Sequence, residues 1–291
     1  MLRLFHVLSL LPLGLLQAGG TVLGLLVYAG SPRYRRVLHA NLAQAGFSSR
    51  RLALQAAVDA GRMAAELPFV WLRGGPGAAV HRVQVLGREA VEQARREGRG
   101  VLYLTPHLGC FEVSAQVAAG WGPITVLYRT PHKTWLRGLA AARLRENLRT
   151  APASVAGMRP LLRALRKGEA VGMLPDQAPS AGEGVWAPFF GRPAYTMTLP
   201  ARLVQLTGAR IVFAVAERLA CGRGYRLSLR ALQQPLPDDA LEAATLLNRE
   251  IEQLVRACPR QYLWGYNRYK VPAGAPLPPA GSVPATPGAG S

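Results

Sequence analysis

Short apolar runs alternate with helix-like stretches over residues 80–257, and this alternation constrains the fold more than any other feature of the sequence. Apolar runs bounded by Gly, Pro or charged residues are typical of buried strands. We predict strands over 80–86, 101–104, 124–128, 154–156, 170–174, 211–216 and 225–229. Helices are predicted over 32–45, 48–71, 89–97, 109–119, 132–148, 159–167, 196–207 and 241–257. Because parallel strands need crossover helices, the pattern predicts an α/β sandwich with a mostly parallel central sheet flanked by helices.

The N-terminal residues 4–32 contain no Asp, Glu, Lys or Arg and are rich in leucine. About 20 apolar residues suffice to span a bilayer, and a basic cluster, Arg33, Arg35 and Arg36, follows directly. Basic residues stay on the cytoplasmic side, so the sequence predicts a membrane anchor over residues 1–31 with the following domain in the cytoplasm. A cleaved signal peptide is the weaker alternative. Pro12 and the glycines leave a re-entrant or interfacial helix open.

The rest of the sequence is predicted to consist of one folded domain and a C-terminal tail. Residues 32–270 carry the alternating pattern and are predicted to form one domain. Residues 271–291 contain no charged residue and consist mainly of Pro, Gly, Ala and Ser. Such a composition cannot bury enough apolar surface to fold, so a disordered tail is predicted there. Within the domain, residues 179–193 are rich in Gly and Pro and are predicted to be a loop.

The charge of the chain points to an anionic partner. Lys plus Arg number 35 and Asp plus Glu number 16, which gives a formal net charge of +19. Almost all of the positive charge is arginine, which forms forked contacts with phosphate and carboxylate groups. Such a chain should bind nucleic acid, anionic lipid or an acidic protein. The sequence has no helix-turn-helix pattern or aromatic stacking platform, so nucleic acid is not a predicted partner.

The cysteines do not indicate a disulfide framework or a metal centre. Cys110, Cys221 and Cys258 are far apart and form no C-x-x-C pair, which fits a reducing compartment. No phosphate loop, zinc signature or dinucleotide fingerprint occurs either, so no bound metal or cofactor is predicted.

A histidine and a glutamate flank the turn between predicted strand 101–104 and the helix that follows. His107 comes directly after Thr105 and Pro106, and Glu112 lies in the first turn of the helix. An imidazole and a carboxylate within reach of each other can act as a general base and its orienting acid. Cys110, between them, is interpreted as a small buried residue and not as a nucleophile.

Two further polar residues stand at the ends of predicted strands. Arg129 follows strand 124–128, and Asp176 follows strand 170–174. In open α/β sheets, functional residues collect at the carboxyl ends of the strands. Each residue also has a purely structural explanation, Arg129 as a surface arginine and Asp176 as a brace of its loop. His107, Arg129 and Asp176 are nevertheless predicted to share one edge of the sheet.

The chain contains a series of short motifs whose identity and order resemble those of the H-x4-D/E acyltransferase superfamily. Within that superfamily, they resemble the bacterial late lipid A acyltransferases of the lauroyl and myristoyl type. The motifs are 41–42 (NL), 87–89 (GRE), 98–100 (GRG), 106–112 (PHLGCFE), 165–168 (LRKG), 175–177 (PDQ), 188–191 (PFFG), 262–264 (YLW) and 267–270 (NRYK). The resemblance runs nearly to Lys270. One departure is Gly265 to Arg268, where this family more often carries His-Arg-Arg.

The resemblance implies a glycerol-phosphate-acyltransferase-like fold and an acyltransferase of the inner membrane. The expected donor is an acyl thioester of acyl carrier protein or coenzyme A, which is a co-substrate and not a bound cofactor. The expected acceptor is a hydroxyl on a 3-hydroxyacyl chain of an anionic lipid A precursor. By resemblance, His107 and Glu112 are catalytic, and Arg129 and Asp176 bind substrate. Arg159 is a further candidate for binding the anionic groups of the substrate.

The residues themselves are consistent with this chemistry. A secondary hydroxyl is a weak nucleophile at neutral pH, and removal of its proton by His107 would accelerate the attack on a thioester by about 10²- to 10⁴-fold. Glu112 would fix the imidazole tautomer and stabilise the imidazolium. The oxyanion would need donors, for which Arg129 and the amides near Gly109 are candidates.

Several alternatives remain open at the level of sequence. Lysophospholipid, ornithine-lipid or glycolipid acceptors fit the same motifs, and a non-catalytic basic membrane protein is a weaker possibility. Three aromatic residues of the predicted loop, Trp186, Phe189 and Phe190, would either plug the core or line an acyl groove at the membrane interface.

Overall fold

A computed structural model of the protein describes residues 2–73, 80–128 and 146–279. Its helices are α1 Leu2–Leu10, α2 Leu13–Gly30, α3 Pro32–Gln44, α4 Arg50–Leu72, α5 Glu89–Arg96, α6 Phe111–Ala119, α7 Val155–Arg166, α8 Leu199–Thr207 and α9 Ala240–Ala257. Its strands are β1 Val83–Leu86, β2 Val101–Leu104, β3 Ile124–Tyr128, β4 Leu148–Pro152, β5 Ala170–Met173, β6 Gly184–Phe189, β7 Arg192–Met197, β8 Arg210–Arg218 and β9 Tyr225–Ala231.

A central sheet of seven strands has the order β1-β9-β8-β2-β5-β3-β4. The five strands from β8 to β4 are mutually parallel, and β9 runs antiparallel to β8. In the middle of the sheet, Leu102 of β2 lies opposite Val171 of β5 on one side and Ile211 of β8 on the other. The prediction of a mixed α/β fold with a mostly parallel sheet and flanking helices is confirmed.

Side chains of the central strands alternate between two cores, one on each face of the sheet. Leu102 and Leu104 of β2 pack in the core that includes α3, α7, α8 and α9. Val101 and Tyr103 pack in the core that includes α2, α5 and α6. All four residues of β2 are therefore buried, which explains why this strand is a continuous apolar run.

The segment predicted to be a Gly- and Pro-rich loop is instead a β-hairpin of β6 and β7. Its two-residue turn is formed by Phe190 and Gly191, with φ of 48° and 75°, as a primed hairpin turn requires. Pro188 and Pro193 lie opposite each other, and an isolated two-stranded ribbon tolerates proline because its outer edges need no ladder partner. Phe189 and Phe190 are buried in the core.

Two other element predictions were wrong or fall outside the described residues. The short strand expected at 154–156 is displaced: the strand is β4, paired with β3, and residues 155 and 156 already belong to α7. Of the helix predicted over 132–148, residues 132–145 lie outside the described residues, and Leu148 belongs to β4.

Helix α2 packs closely against α4. Glycines at positions 20 and 24 of α2 and 61 of α4 allow the two backbones to touch, because a Cβ atom at Gly24 would lie 2.3 Å from the Ala57 carbonyl oxygen. Of the described helices, α2 alone is long and apolar enough to cross a membrane by length and composition, with a mean hydropathy of 1.5.

A buried network of charges joins these helices to the sheet. Arg218, the last residue of β8, forms ion pairs with Glu66 and, at 3.6 Å, with Asp59 of α4. Gln17 of α2 donates to Glu66 at 3.1 Å. Since an unpaired buried charge is costly, each of these groups depends on the others, and the first described helices belong to the same core as the sheet.

Candidate active site

A tight turn after β2 presents His107 at the carboxyl edge of the sheet. The Leu263 amide donates to the His107 carbonyl oxygen at 2.9 Å, which ties the turn to the segment after α9. Gly109 has a φ of 65°, and a Cβ atom there would lie 2.1 Å from the Ala216 carbonyl oxygen. Only glycine fits at this position. The turn is thus held on two sides before α6 begins at Phe111.

Asp176, which follows β5, makes two hydrogen bonds to His107. Its Oδ1 lies 2.8 Å from the imidazole Nδ1, and its Oδ2 accepts from the His107 backbone amide at 2.8 Å. The residue is 2% exposed. Burial alone would raise the pKa of the Asp176 carboxyl, but the charge and hydrogen bonds of His107 outweigh burial, and this pKa is lowered below its usual value. Asp176 is therefore a carboxylate at neutral pH.

The ionised Asp176 determines which nitrogen of the neutral imidazole carries the proton. A carboxylate can only accept hydrogen bonds, so Nδ1 is the donor and Nε2 is left with its lone pair. The Gln177 amide lies 3.1 Å from Nε2 and donates to it. The ring stands edge-on to Phe111, with 4.9 Å between centroids. With 15% of its side chain exposed, His107 presents a basic nitrogen at an accessible surface.

A second layer of buried groups surrounds Asp176. The Tyr262 side chain is buried, and burial, together with the Asp176 carboxylate, raises the pKa of Tyr262 well above its usual value. Arg268 is buried nearby and donates to the Tyr195 carbonyl oxygen and the Thr196 hydroxyl, both at 2.7 Å. Burial lowers the pKa of Arg268, and the Asp176 carboxylate opposes that effect. Tyr262 and Arg268 thus belong to the electrostatic surroundings of the Asp176 carboxylate.

Glu112 lies in the first turn of α6, and its described contact is with Trp71 of α4. The Trp71 indole donates to Glu112 Oε2 at 3.1 Å. The orienting role of Glu112 stays a prediction, whereas Nδ1 of His107 is contacted by Asp176 in the structure. The reason is that β5 is the immediate neighbour of β2, and adjacent strand ends lie about 4.8 Å apart, so Asp176 reaches both the amide and the ring of His107.

The backbone amides proposed near Gly109 are already engaged. The Gly109 amide donates to the Gln261 carbonyl oxygen at 3.0 Å, and the Cys110 amide donates to that of Ala216 at 2.8 Å. The Cys110 side chain is buried, and burial raises the pKa of its thiol well above the usual value. A thiol in this environment is a poor nucleophile.

Most of the chain matches one family of enzymes. The profile of the bacterial lipid A biosynthesis acyltransferases aligns with residues 2–271. The chain belongs to that family. The resemblance noted from the sequence motifs is thereby confirmed.

The names of three relatives of this chain specify different acyl groups. The lipid A biosynthesis palmitoleoyltransferase of Escherichia coli (strain K12) is 30% identical over 187 residues, which are 64% of this chain and 61% of the relative. The lauroyltransferase of the same organism is 27% identical over 280 residues, 91% of this chain and 89% of the relative. Its myristoyltransferase is 29% identical over 203 residues, 65% and 59% of the two chains. The matched region thus spans about three-fifths of the palmitoleoyltransferase.

Two predicted site residues remain, Arg129 and Arg159. Arg129 lies outside the described residues. Arg159 is exposed on α7 and lines a shallow surface depression together with Leu162, Arg163, Arg166 and Lys167. This basic stripe is formed by one face of α7, and no described contact links it to His107, Glu112 or Asp176. The role of Arg159 stays a prediction.

Sequence reasoning missed the contributions of Gln177, Tyr262 and Arg268. Gln177 was present in a quoted motif next to Asp176, so its proximity to the histidine could have been inferred from the strand end. Tyr262 and Arg268 also lie in quoted motifs, but they come after the last helix, where no strand end indicates a site. Within the described part of the chain, no group of three or more His, Cys, Asp or Glu side chains could hold a metal ion.

Proposed function

We propose that the protein transfers a fatty acyl chain from an acyl carrier protein thioester to a hydroxyl on a 3-hydroxyacyl chain of a lipid A precursor. The observation that carries the proposal is the His107–Asp176 pair, with Nδ1 to Oδ1 at 2.8 Å, in a chain of the lipid A acyltransferase family. The named activities of the relatives support a lipid A acceptor, and they differ in the acyl group transferred.

In this mechanism, Nε2 of His107 is the general base. The acceptor hydroxyl takes the place of the Gln177 amide at Nε2 and loses its proton to the ring as its oxygen attacks the thioester carbonyl. Asp176 stabilises the imidazolium that forms, as the acid of a Ser-His-Asp triad does. When the tetrahedral intermediate collapses, the carbon–sulfur bond breaks and the imidazolium returns its proton to the leaving thiolate. No acyl-enzyme forms, because the substrate oxygen is the nucleophile.

Glu112 keeps a catalytic role in the proposal, which the family resemblance supports. Its carboxylate lies in the first turn of α6, five residues after His107, and the Trp71 indole fixes one of its oxygens. We place it beside the reacting groups, where it would orient the acceptor or stabilise positive charge. The oxyanion would be bound by Arg129 or by a backbone amide at the start of α6.

The setting of the reaction is part of the same proposal. The catalytic domain, residues 32–270, would have the glycerol-phosphate-acyltransferase-like sandwich and face the cytoplasm from the inner membrane. Residues 1–31 would form the anchor, and most of the tail that the sequence predicts to be disordered, residues 280–291, lies outside the described residues. The first part of that tail has a described contact, because the Trp186 indole donates to the Pro276 carbonyl oxygen at 2.8 Å.

The substrates would be bound by charge, without a resident cofactor. Arg129 would contact phosphate of the acceptor. The exposed stripe around Arg159 would attract anionic lipid or the acidic carrier protein. Coenzyme A is the alternative donor, and a lysophospholipid, ornithine lipid or glycolipid is the alternative acceptor. A non-catalytic basic membrane protein is the weakest alternative, since such a protein would have no need for a histidine that, like His107, is oriented by a carboxylate with its Nε2 lone pair available.

The test is a product analysis with purified protein in detergent. Lauroyl-, myristoyl- and palmitoyl-carrier protein, and the matching coenzyme A esters, are each offered with a tetra-acyl lipid A precursor or with a lysophospholipid. Mass spectrometry should show one added acyl chain on the lipid A precursor with at least one carrier-protein donor. Acylation of the lysophospholipid alone would contradict the proposed acceptor, and the absence of any product would contradict the proposed activity.

A further inference from the structure

The outer face of α1 and α2 is a continuous apolar surface. Of the sixteen large apolar side chains that are exposed among the described residues, ten lie on or between these helices. They are Leu4, Val7, Leu10, Leu11, Leu15, Val22, Leu23, Leu25, Leu26 and Val27, each between 36% and 70% exposed. Contiguous apolar patches of this kind mark an interaction surface in a folded protein.

The opposite face of α2 is attached to the body of the protein along the length of the helix. Near its start, Gln17 Oε1 accepts from the Gly222 amide at 3.0 Å. In its middle, Thr21 accepts from Arg62 of α4 at 2.9 Å. Near its end, the Tyr28 hydroxyl lies 3.0 Å from His39 Nε2.

Because of these contacts, most of the length of α2 packs on the rest of the protein along one side. At 1.5 Å per residue, the 18 residues of α2 extend about 27 Å, and the stretch from Gly14, which packs on Gly222, to Tyr28 covers about 21 Å. A helix that crossed the hydrocarbon core, about 30 Å thick, would draw α4 and the turn between β8 and β9 into the lipid. Arg62, with 30% of its side chain exposed, would enter the hydrocarbon with them. Charged groups are strongly disfavoured there.

We infer that α1 and α2 lie in the plane of a single leaflet and do not cross the bilayer. The partner is the lipid leaflet itself: the ten apolar side chains enter its acyl region, and the body of the protein stays in the head-group region and the water. An interfacial helix normally carries its own polar face. Helix α2 has no charged residue and therefore lacks such a face. Its other side packs on α4, so the polar surface on the water side is supplied by the rest of the protein.

Charge at both ends of the apolar surface fits an anionic leaflet. Arg3 precedes it, and Arg33 and Arg36 follow it, and all three are exposed. Arginines at this level would contact anionic head groups. The same surface lies near the candidate active site: Arg73 donates to the Leu11 carbonyl oxygen at 2.7 Å, and Trp71, two residues earlier, donates to Glu112. If the proposed function holds, the acceptor lipid reaches the site without leaving its leaflet.

Depth measurements on the full chain test the inference directly. In a Cys221→Ser background, nitroxide labels are placed one at a time at Leu15, Val22 and Leu26, which share the outer face of α2. The protein is reconstituted into vesicles of phosphatidylethanolamine and phosphatidylglycerol, and the accessibility of each label to oxygen and to a water-soluble nickel chelate gives its depth. The inference predicts one shallow depth for all three. A crossing helix would separate the depths of Leu15 and Leu26 by about 16 Å, which would overturn the inference, as would three water-exposed labels.

A matched pair of variants tests whether packing on α4 sets this orientation. Gly24→Leu adds a side chain against the Ala57 backbone, and Gly19→Leu adds the same side chain where nothing lies within 4 Å. The three labels should no longer share one depth in Gly24→Leu, whereas they should still share it in Gly19→Leu. An unchanged profile in both would contradict the role given to α4. These readouts need no turnover, so they stand or fall separately from the proposed acyl transfer.

Discussion

At the scale of single residues, the site depends on three separate parts of the chain meeting at His107. The turn after β2 supplies the imidazole, the end of β5 supplies Asp176, and the segment after α9 supplies Tyr262 and the Leu263 amide that holds the turn. The Leu263 amide fixes the position of the turn, Asp176 fixes the tautomer of the imidazole, and Tyr262 lies in the surroundings of Asp176. The lone pair of the imidazole is therefore on Nε2.

Replacement of Asp176 by asparagine should lower kcat by about 10⁴-fold, because an amide cannot stabilise the imidazolium and can favour the wrong tautomer. The KM for both substrates should change little, since Asp176 faces His107 and not the solvent. Initial rates of acyl transfer measure the effect. Asp238→Asn, the same substitution at an exposed position, is the control. A kcat of Asp176→Asn within threefold of that control would refute the role of Asp176.

The same carboxylate should make stability depend on pH in the acid range. The pKa of Asp176 is lower in the folded chain than its usual value of about 3.9. Its contribution to stability is therefore complete above that value and is lost as the pH falls through the lower, folded pKa. The free energy of unfolding should be smaller for Asp176→Asn than for the wild type at pH 7, and the difference should shrink below about pH 4. Denaturant titrations at several pH values measure it, and a difference that grows toward low pH would be the opposite result.

Sequence patterns could place His107 and Asp176 at strand ends, but they could not pair them. That pairing depends on β5 lying next to β2, and the order of strands in a sheet is decided by packing of the helices and not by local spacing. The spacing between His107 and Glu112 is local and is visible in the sequence, so it suggested Glu112 as the orienting carboxylate, whereas the contact of Asp176 with Nδ1 could only be found in the structure.

At the scale of elements, small residues decide how α2 meets α4. The glycines of α2 have contrasting surroundings: Gly20 and Gly24 face the α4 backbone, and Gly19 faces open space. A helix pair with such glycines can approach more closely than one with larger side chains.

Alanine at positions 19 and 24 should therefore have opposite effects on stability. Gly19→Ala should raise the free energy of unfolding by about 0.5–1 kcal/mol, because it reduces backbone freedom in a helix without a clash. Gly24→Ala should lower it by about 1–3 kcal/mol, since the added methyl overpacks a backbone contact. Urea unfolding in one detergent compares the two variants. Equal effects at both positions would mean that α2 does not pack on α4.

Most elements followed from the apolar pattern, and the exceptions have physical causes. Strand β3 and the ends of the helix α9 were predicted closely because their apolar periodicity is undisturbed. The β6–β7 hairpin was missed because Gly and Pro are turn signals in sequence, while a two-stranded ribbon with free edges tolerates both. Its turn also gave no clear signal, because Phe190 adopts a positive φ at a position where Asn, Asp or Gly is usual.

At the scale of the whole molecule, the N-terminal helices are built into the core and are not appended to it. Leu13 and Leu16 of α2 pack in the same core as Phe69 and Val70 of α4. The buried Arg218 at the end of β8 connects with both helices through Glu66. The sequence showed an apolar run of the right length for an anchor, but length and composition do not reveal that one side of it is needed by the fold.

Deletion of residues 2–30 should therefore destabilise the protein and not simply release a soluble domain. Loss of the buried Leu13 and Leu16 alone should lower the free energy of unfolding by about 3–6 kcal/mol. The truncated chain should elute as aggregates in size-exclusion chromatography without detergent. A monodisperse truncated protein with an unchanged melting temperature would show that residues 1–31 are a separable anchor.

The most direct test of the account as a whole is the rate of acyl transfer in His107→Ala under single-turnover conditions, with a lipid A precursor and an acyl carrier protein donor. His81→Ala, at an exposed position, serves as the matched control. The account predicts that His107→Ala loses at least about 10²-fold in rate, while its binding to lipid vesicles stays that of the wild type. A rate within a few-fold of the His81→Ala control would contradict the assignment of His107 as the general base.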